Sequence, residues 1–599
     1  MGKQFKKSDI PILIVSIILI FLSVNRAAQL YVVSNCGSNI IGGLSQVMDC
    51  FFNFTVYPFT LNFESEFMLP SIVGILAVLL AYAYIATSRK NFMRGKEHGT
   101  AEWGTEKDIK PFIDSNKDNN IILSATESLS LAPHMKNPLY NRNKNVLVIG
   151  GSGKGKSRFI VKPNLCQLNT SYIITDPKGE LFGDCGEMLA KNGYKIKVLN
   201  LEDMSKSDKF NFFEYIHSEK DILILVDNLL ANTNSAEADA AAKSGDDFWV
   251  KSEKALLSAL FAYIILECRP EDQNINSVLE LLKIAAARED DEDFVSGLDV
   301  LFLELKEKNP SCLASYMYGI FKLASGKTAK SILVSLGVRL APFAISDVRK
   351  LMSANEIDIG AIGKEKTALF LIVPETYTTF NFIVCIFYQL MLEHFYSLAK
   401  KQPKRRLPVP IQIIGDEIAN IGHIPNLQRY ISTMRSYGIS MMLIFQTLTQ
   451  IEAIDKANWK TIVGNCDSFV YLGGKEPSTN EYVSKILGNM TIDQRQTNET
   501  KGSHGSYGTQ DSNLGRALLD SAELEKIPGD ECIVTVSGVN PFKSKKYPLE
   551  KHRRYKLLAD GEGNDFTFDM RNDLLHTSVV EKFFENTSEI ISIELDDAI

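Results

Sequence analysis

At 599 residues, with 45% apolar and 23% charged side chains, the chain has an ordinary globular composition and room for several cores, about three to four units of ~100–200 residues. A formal charge of −7 excludes a histone-like or generally basic protein, because duplex binding draws mainly on Lys and Arg; a basic lining inside a ring stays open. The nine cysteines are scattered, with no Cys-x-x-Cys and no His at zinc-ligand spacing, which argues against a metal cluster.

The chain opens with a membrane anchor. From Ile10 to Val24 it is apolar except for Ser16 and Ser23, and Phe67–Ala86 runs without a charge. The second stretch meets the ~20 residues needed to cross a bilayer, and the first does so if it continues past Arg26 through Ala27–Val33. The expected spans are about 10–33 and 67–87. A cleaved signal peptide is the alternative for the first, but no small-x-small site follows and Arg26 suits a helix end. Lys3, Lys6 and Lys7 precede the first span and Arg89, Lys90, Arg94 and Lys96 follow the second, while no Lys or Arg occurs from Ala27 to Ser88. By the positive-inside rule both ends face the cytoplasm of a plasma membrane. The short loop outside carries Asp49, Glu64 and Glu66 with interface-suited aromatics such as Tyr31, Tyr57, Phe59 and Phe63. Cys36 and Cys50 fall there, as a disulfide or as two free thiols.

The next signal is a short apolar strand, Val146–Ile149, running into Gly150-Gly151-Ser152-Gly153-Lys154-Gly155-Lys156-Ser157. Glycines at this spacing let backbone N–H groups wrap phosphates, the Lys156 ammonium reaches the terminal phosphates and the Ser157 hydroxyl can ligate Mg²⁺. A helix starting there adds partial positive charge. A second strand, Tyr172–Thr175, leads to Asp176-Pro-Lys-Gly-Glu180, which either faces the same pocket or is a polar turn.

Further apolar strands are expected at Ile196–Leu199, Ala368–Val373, Ile411–Ile414, Met441–Phe445 and Phe469–Leu472, separated mostly by helical stretches. This pattern predicts an α/β fold, a mostly parallel sheet covered on both faces. It breaks between Ile216 and Leu351, where Asp247–Cys268, Ile275–Ala287 and Ser296–Lys308 have helical spacing around an acidic run, Glu289–Asp293. That region reads as an all-α insertion, 216–351, in a nucleotide-binding domain of 97–215 and 352–555, with the anchor at 1–96.

The run Ile411–Ile414 ends in Asp416-Glu417. Asp416 would hold Mg²⁺ through water and Glu417 would polarise the attacking water, although paired acids also occur as solvated turn residues. Arg435, on the helical stretch Pro425–Tyr437, would serve as an arginine finger across a subunit boundary or as a solvated helix-face residue. Gln446, closing a strand, would sense the γ-phosphate or lie at the surface. Thr497–Gly515, rich in Gly, Ser, Thr and Asn, reads as a flexible loop. The end, 556–599, reads as an acidic tail, either partner-recruiting or disordered.

Together, His98-Gly-Thr-Ala-Glu-Trp103, the phosphate loop, Asp176-Pro-Lys-Gly-Glu180, Asp416-Glu-Ile-Ala-Asn420 and Phe445-Gln446 resemble the type IV secretion coupling proteins of the TraG/TraD family, over nearly the whole chain. Where that family commonly has Phe, this chain has Ile418. The resemblance implies a RecA-like motor domain in a homo-hexameric ring, and an all-α domain that receives substrate. It implies hydrolysis of ATP with Mg²⁺ by Lys156, Ser157, Asp416 and Glu417, with Gln446 as sensor and Arg435 as finger in trans. It further implies a single strand of DNA, with duplex left open, delivered with its relaxase and other relaxosome proteins to the secretion channel. A coupling protein for protein effectors only, a non-hydrolysing docking platform and a segregation motor of the FtsK/HerA type are the alternatives.

Overall fold

The computed structural model describes residues 10–33, 40–88, 96–133, 135, 137–233, 246–286, 294–324, 326–500 and 506–569. Cys36, the acidic run Glu289–Asp293 and everything after Asp569 lie outside these, and with them the choice between a Cys36–Cys50 disulfide and free thiols and most of the expected tail. Chain contacts divide the protein into Met1–Glu97 and His98–Ile599.

In the first unit two membrane-length helices, Ile10–Val33 and Ser65–Ser88, pack on each other, and a third helix, Ile40–Cys50, stands between them in sequence. Close approach is possible because Gly74 faces Val24: an added Cβ would sit 3.1 Å from the valine methyl, the small-residue contact usual between membrane helices. The first helix matches the expected span of 10–33, so Arg26 lies inside it and not at its end. The helix runs on to Val33, and Arg26 is buried in it. Its Nε and Nη2 donate to the carbonyls of Phe51 and Tyr57 at 2.8 and 3.0 Å, and its guanidinium lies 4.3 Å from the centre of the Phe54 ring, so the charge is solvated by protein.

The second unit is built on a nine-stranded sheet. Thirteen strands occur among the described residues, in chain order β1 (Asn120–Ile122), β2 (Ser128–Ser130), β3 (Val146–Ile149), β4 (Ser171–Thr175), β5 (Lys195–Asn200), β6 (Thr367–Ile372), β7 (Ile411–Gly415), β8 (Ile439–Phe445), β9 (Ser468–Tyr471), β10 (Asn489–Thr500), β11 (Ser506–Ala517), β12 (Glu531–Val536) and β13 (Phe542–Lys545). The sheet order is β13-β12-β9-β3-β8-β7-β4-β6-β5. From β9 to β5 all neighbours are parallel, and β12 and β13 add an antiparallel edge. Strands buried on both faces read as continuous apolar runs, and alternate residues feed two cores. Leu147, Ile149, Ile173 and Leu369 enter one, and Val146, Val148, Ile174 and Phe370 the other.

Between β5 and β6 the described residues form helices, among them Asp246–Glu267, Ile275–Ile284, Gly297–Lys308, Leu313–Phe321 and Gly326–Leu340. Their buried Leu256, Phe261, Phe302 and Leu336 share the first core with the sheet. The helix Asn381–Lys401 is apolar enough to span a membrane, yet 72% of its most apolar window is buried within the protein, which makes it a core helix.

Two expectations are corrected here. The segment read as a flexible loop is a two-stranded ribbon: β10 and β11 pair in continuous register from Asn489↔Ala517 to Thr500↔Ser506. Its described side chains from Asp493 to Gln496 and from Ser512 to Gly515 are exposed, so at these positions no apolar alternation marks a strand, and the backbone ladder holds the pair. The tail boundary also moves. Leu558 and Phe566 are buried, a side chain at Gly186 would run into the Phe566 ring, and Asn564 donates to Glu187 at 2.7 and 2.9 Å. Residues 556–569 therefore belong to the sheet domain.

Candidate active site

A loop that wraps phosphate must turn its amides inward, and this one uses glycine where the backbone demands it. Gly153 and Gly155 have φ of 72° and 78°, the left-handed region that side chains disfavour. A Cβ at Gly155 would also lie 2.5 Å from the Phe159 ring. The loop is pinned at its base: the Gly150 and Gly151 amides donate to Phe445 O and Gly473 O at 3.0 and 2.9 Å, at the ends of β8 and β9. From the far edge of the sheet, Lys546 Nζ donates to Lys154 O at 3.0 Å.

The carboxyl ends of β3, β8, β7 and β4 lie side by side, which is where parallel sheets bind ligands. They bring the loop, Gln446, Asp416-Glu417 and Asp176 together. Ser157 Oγ donates to Asp416 Oδ2 at 2.9 Å. Lys156 Nζ lies 3.5 Å from Glu417 Oε1, and Gln446 Nε2 donates to that same oxygen at 2.9 Å. The Gln446 backbone N–H donates to Gln450 Oε1 at 2.8 Å. Glu417 has φ 50° and ψ 42°, an uncommon conformation for a residue with a side chain, and such strain collects at functional sites. The cleft they border is about 300 Å³ and includes Ser152, Gly153, Lys162, Lys178 and Glu375 in its wall.

Burial shapes the acids. Desolvation pushes Asp416 up to about 6 against the pull of Ser157 and Lys156, and pushes Asp176 up to about 7 against the backbone amides of Phe182 and Leu181. Asp416 Oδ1 is buried with no hydrogen-bond partner among the described residues. A buried orphan acceptor beside a serine hydroxyl is hard-cation chemistry, so the pair suits Mg²⁺.

Asp176 supplies a test of this electrostatics. Its pKa is raised by folding, so ionising it costs stability, in full above about pH 7 and not at all below the unfolded carboxylate range near 4. Asn keeps the acceptor that the Phe182 amide uses at 2.8 Å. In Mg²⁺-free protein, Asp176→Asn is expected to raise the thermal midpoint at pH 8 and to leave it unchanged at pH 4; an equal shift at both pH values would sink the assignment.

Arg435 is not part of this cluster. It sits at the other end of the sheet, before β8, where its Nη2 approaches Asn141 O at 3.5 Å. Seven β8 residues separate it from the loop, roughly 20 Å at ~3.3 Å per residue. Beside it stand Arg406 and Lys144. Burial and the two arginines bring Lys144 down to about 8 against the pull of Asp467, and its ammonium is buried with no hydrogen-bond partner among the described residues.

Sequence reading missed Glu375, Lys162 and Lys546. Glu375 follows β6, so its place at a carboxyl strand end was a usable signal. Lys546 acts from almost 400 residues away in the chain, with no local signature.

A sequence model of the family described as type IV secretory system conjugative DNA transfer matches residues 102–558. A conjugal transfer protein TraG of Rhizobium radiobacter is 22% identical over 81% of this chain and 78% of its own length. The type IV secretion system-coupling protein VirD4 of Bartonella henselae is 23% identical over 85% and 82%. Among solved structures, the bacterial conjugative coupling protein TrwB superimposes with a TM-score of 0.54 at 17% identity, covering 75% of this chain and 93% of that one. TrwB has also been solved with ADP and Mg²⁺, at a TM-score of 0.52. The chain belongs to the type IV secretory system conjugative DNA-transfer family.

Proposed function

We propose that this protein is a plasma-membrane ATPase that brings a relaxase-held single DNA strand to a type IV secretion channel and drives its passage. The observation that carries this reading is the contact set Ser157–Asp416 and Lys156–Glu417–Gln446 at the carboxyl ends of the central strands, in a chain of the conjugative DNA-transfer family. Gly150–Ser157 would cradle the phosphates of ATP, with Lys156 on the terminal ones and Asp176 in the facing wall. Ser157 and Asp416 would hold Mg²⁺, which supplies charge neutralisation at the phosphate oxygens when bound. Glu417 would take the proton of the attacking water, with Gln446 fixing its carboxylate and reporting the γ-phosphate. Arg435 lies about a strand length from its own loop, and it stands with Arg406 beside the buried Lys144, a concentration of positive charge that Asp467 only partly offsets. Both features favour a homo-hexameric ring in which Arg435 serves the neighbouring nucleotide. The helical insertion would receive the relaxosome, and the spans Ile10–Val33 and Ser65–Ser88 would hold the motor against the cytoplasmic face.

Full-length protein in vesicles is expected to hydrolyse ATP faster when single-stranded DNA is added. A rate indifferent to both single-stranded and duplex DNA, in particles shown to be assembled, would leave the protein-effector reading in its place.

A further inference from the structure

Between the two membrane-length helices runs Phe51–Phe63, FFNFTVYPFTLNF, without a charged residue. Phe52 is 79% and Phe63 69% exposed, with Phe54, Val56, Phe59 and Leu61 also open. We propose that this segment lies within the outer leaflet of the bilayer, at the boundary of headgroups and acyl chains, docked there by polar residues of the first span.

Two otherwise unexplained features account for each other. A membrane span has little reason to carry Asn25, Arg26 and Gln29, and an irregular aromatic segment cannot enter a bilayer with bare carbonyls. Here the first group caps four carbonyls of the second, and turn bonds use those of Phe52 and Asn53. Arg26 donates to Phe51 O and Tyr57 O, Asn25 Nδ2 to Asn62 O at 2.9 Å and Gln29 Nε2 to Thr60 O at 2.9 Å. Asn25 Oδ1 accepts from the Asn62 amide at 3.2 Å, and Gln29 Oε1 from Thr60 Oγ1 at 2.9 Å.

Depth follows from helix geometry. Arg26 lies about 24 Å along the first helix from Ile10 at ~1.5 Å per residue, inside a hydrocarbon core of ~30 Å, and the helix continues to Val33 beyond it. The segment is therefore folded back alongside the last turns of a span, with the Phe51, Phe54 and Phe59 rings around Arg26 and those of Phe52 and Phe63 facing outward at lipid level. Aromatic rings with hydrogen-bonded polar backbone are the chemistry of the membrane interface. The occupant of this surface is phospholipid.

The test uses the full-length protein in phosphatidylcholine vesicles carrying bromine at chosen acyl depths. Phe52→Trp and Phe63→Trp each add one indole to native Trp103, Trp249 and Trp459, whose signal is subtracted using wild type. The added fluorescence is expected to be quenched severalfold more by bromine on the upper acyl chain than near its end, and little by aqueous acrylamide. Acrylamide quenching without bromolipid quenching overturns the proposal. So does bromolipid quenching that is lost when several copies share a nanodisc and present with one, because a second copy would then cover the surface. In an Arg26→Gln background the indole is expected to become acrylamide-accessible; an unchanged profile overturns the docking role of Arg26.

Discussion

Glu417→Gln is expected to lower ATP hydrolysis by ~10²–10⁴-fold, the usual range for a lost general base, while nucleotide binding is kept or tightened. Gln preserves the shape and still offers an oxygen to Gln446, whose donor now lies 2.9 Å from Glu417. What disappears is a negative charge that can accept a proton. The binding side follows from the Lys156–Glu417 contact: Lys156 Nζ rests 3.5 Å from Glu417, so a phosphate must compete with this carboxylate for the ammonium. Removing the charge frees Lys156 and removes its repulsion of the polyphosphate. Lys156→Ala is expected to lose both binding and turnover, because its charge is used in each. Fluorescent-nucleotide anisotropy and phosphate release, measured on the same preparations, separate the two. A Glu417→Gln protein that turned over near the wild-type rate would leave Glu417 a structural partner of Gln446 and remove it from the chemistry.

How much of this was legible follows physical lines. The strands from β3 to β9 were readable because a strand covered on both faces must be apolar throughout. The antiparallel edge β12-β13 was missed: Phe542–Lys545 alternates buried Phe542 with exposed Lys543 and is too short to stand out. The β10-β11 ribbon was mistaken for a loop since its stability lies in main-chain pairing, to which side-chain polarity gives no clue. The burial of Arg26 inside the first span is not legible in the sequence: its three ring neighbours and two carbonyls come from residues 51–59, brought there by a fold the pattern does not display. In the site the contrast is similar. The glycine loop and the acid pair are local signals, whereas the Gln446–Glu417 contact joins two strand ends and exists only once β7 and β8 are paired.

Arg435→Gln is expected to reduce hydrolysis by ~10³-fold or more, as loss of an arginine finger does, with nucleotide affinity little changed. The expected role is sharper still, since the residue is a whole strand length from its own loop and a finger role would require a neighbouring chain's nucleotide. Arg435→Gln chains keep an intact Lys156, and Lys156→Ala chains keep an intact Arg435. Neither alone should hydrolyse ATP at a useful rate. In rings assembled from an equal mixture, about a quarter of interfaces would pair a working loop with a working arginine, so about a quarter of wild-type turnover should return if sites act independently. Zero recovery, with mixed assembly verified by differential tagging, would sink the trans assignment. Full activity of Arg435→Gln alone would instead move the anion-facing role to Arg406 and Lys144, the two cations already converging on the same surface.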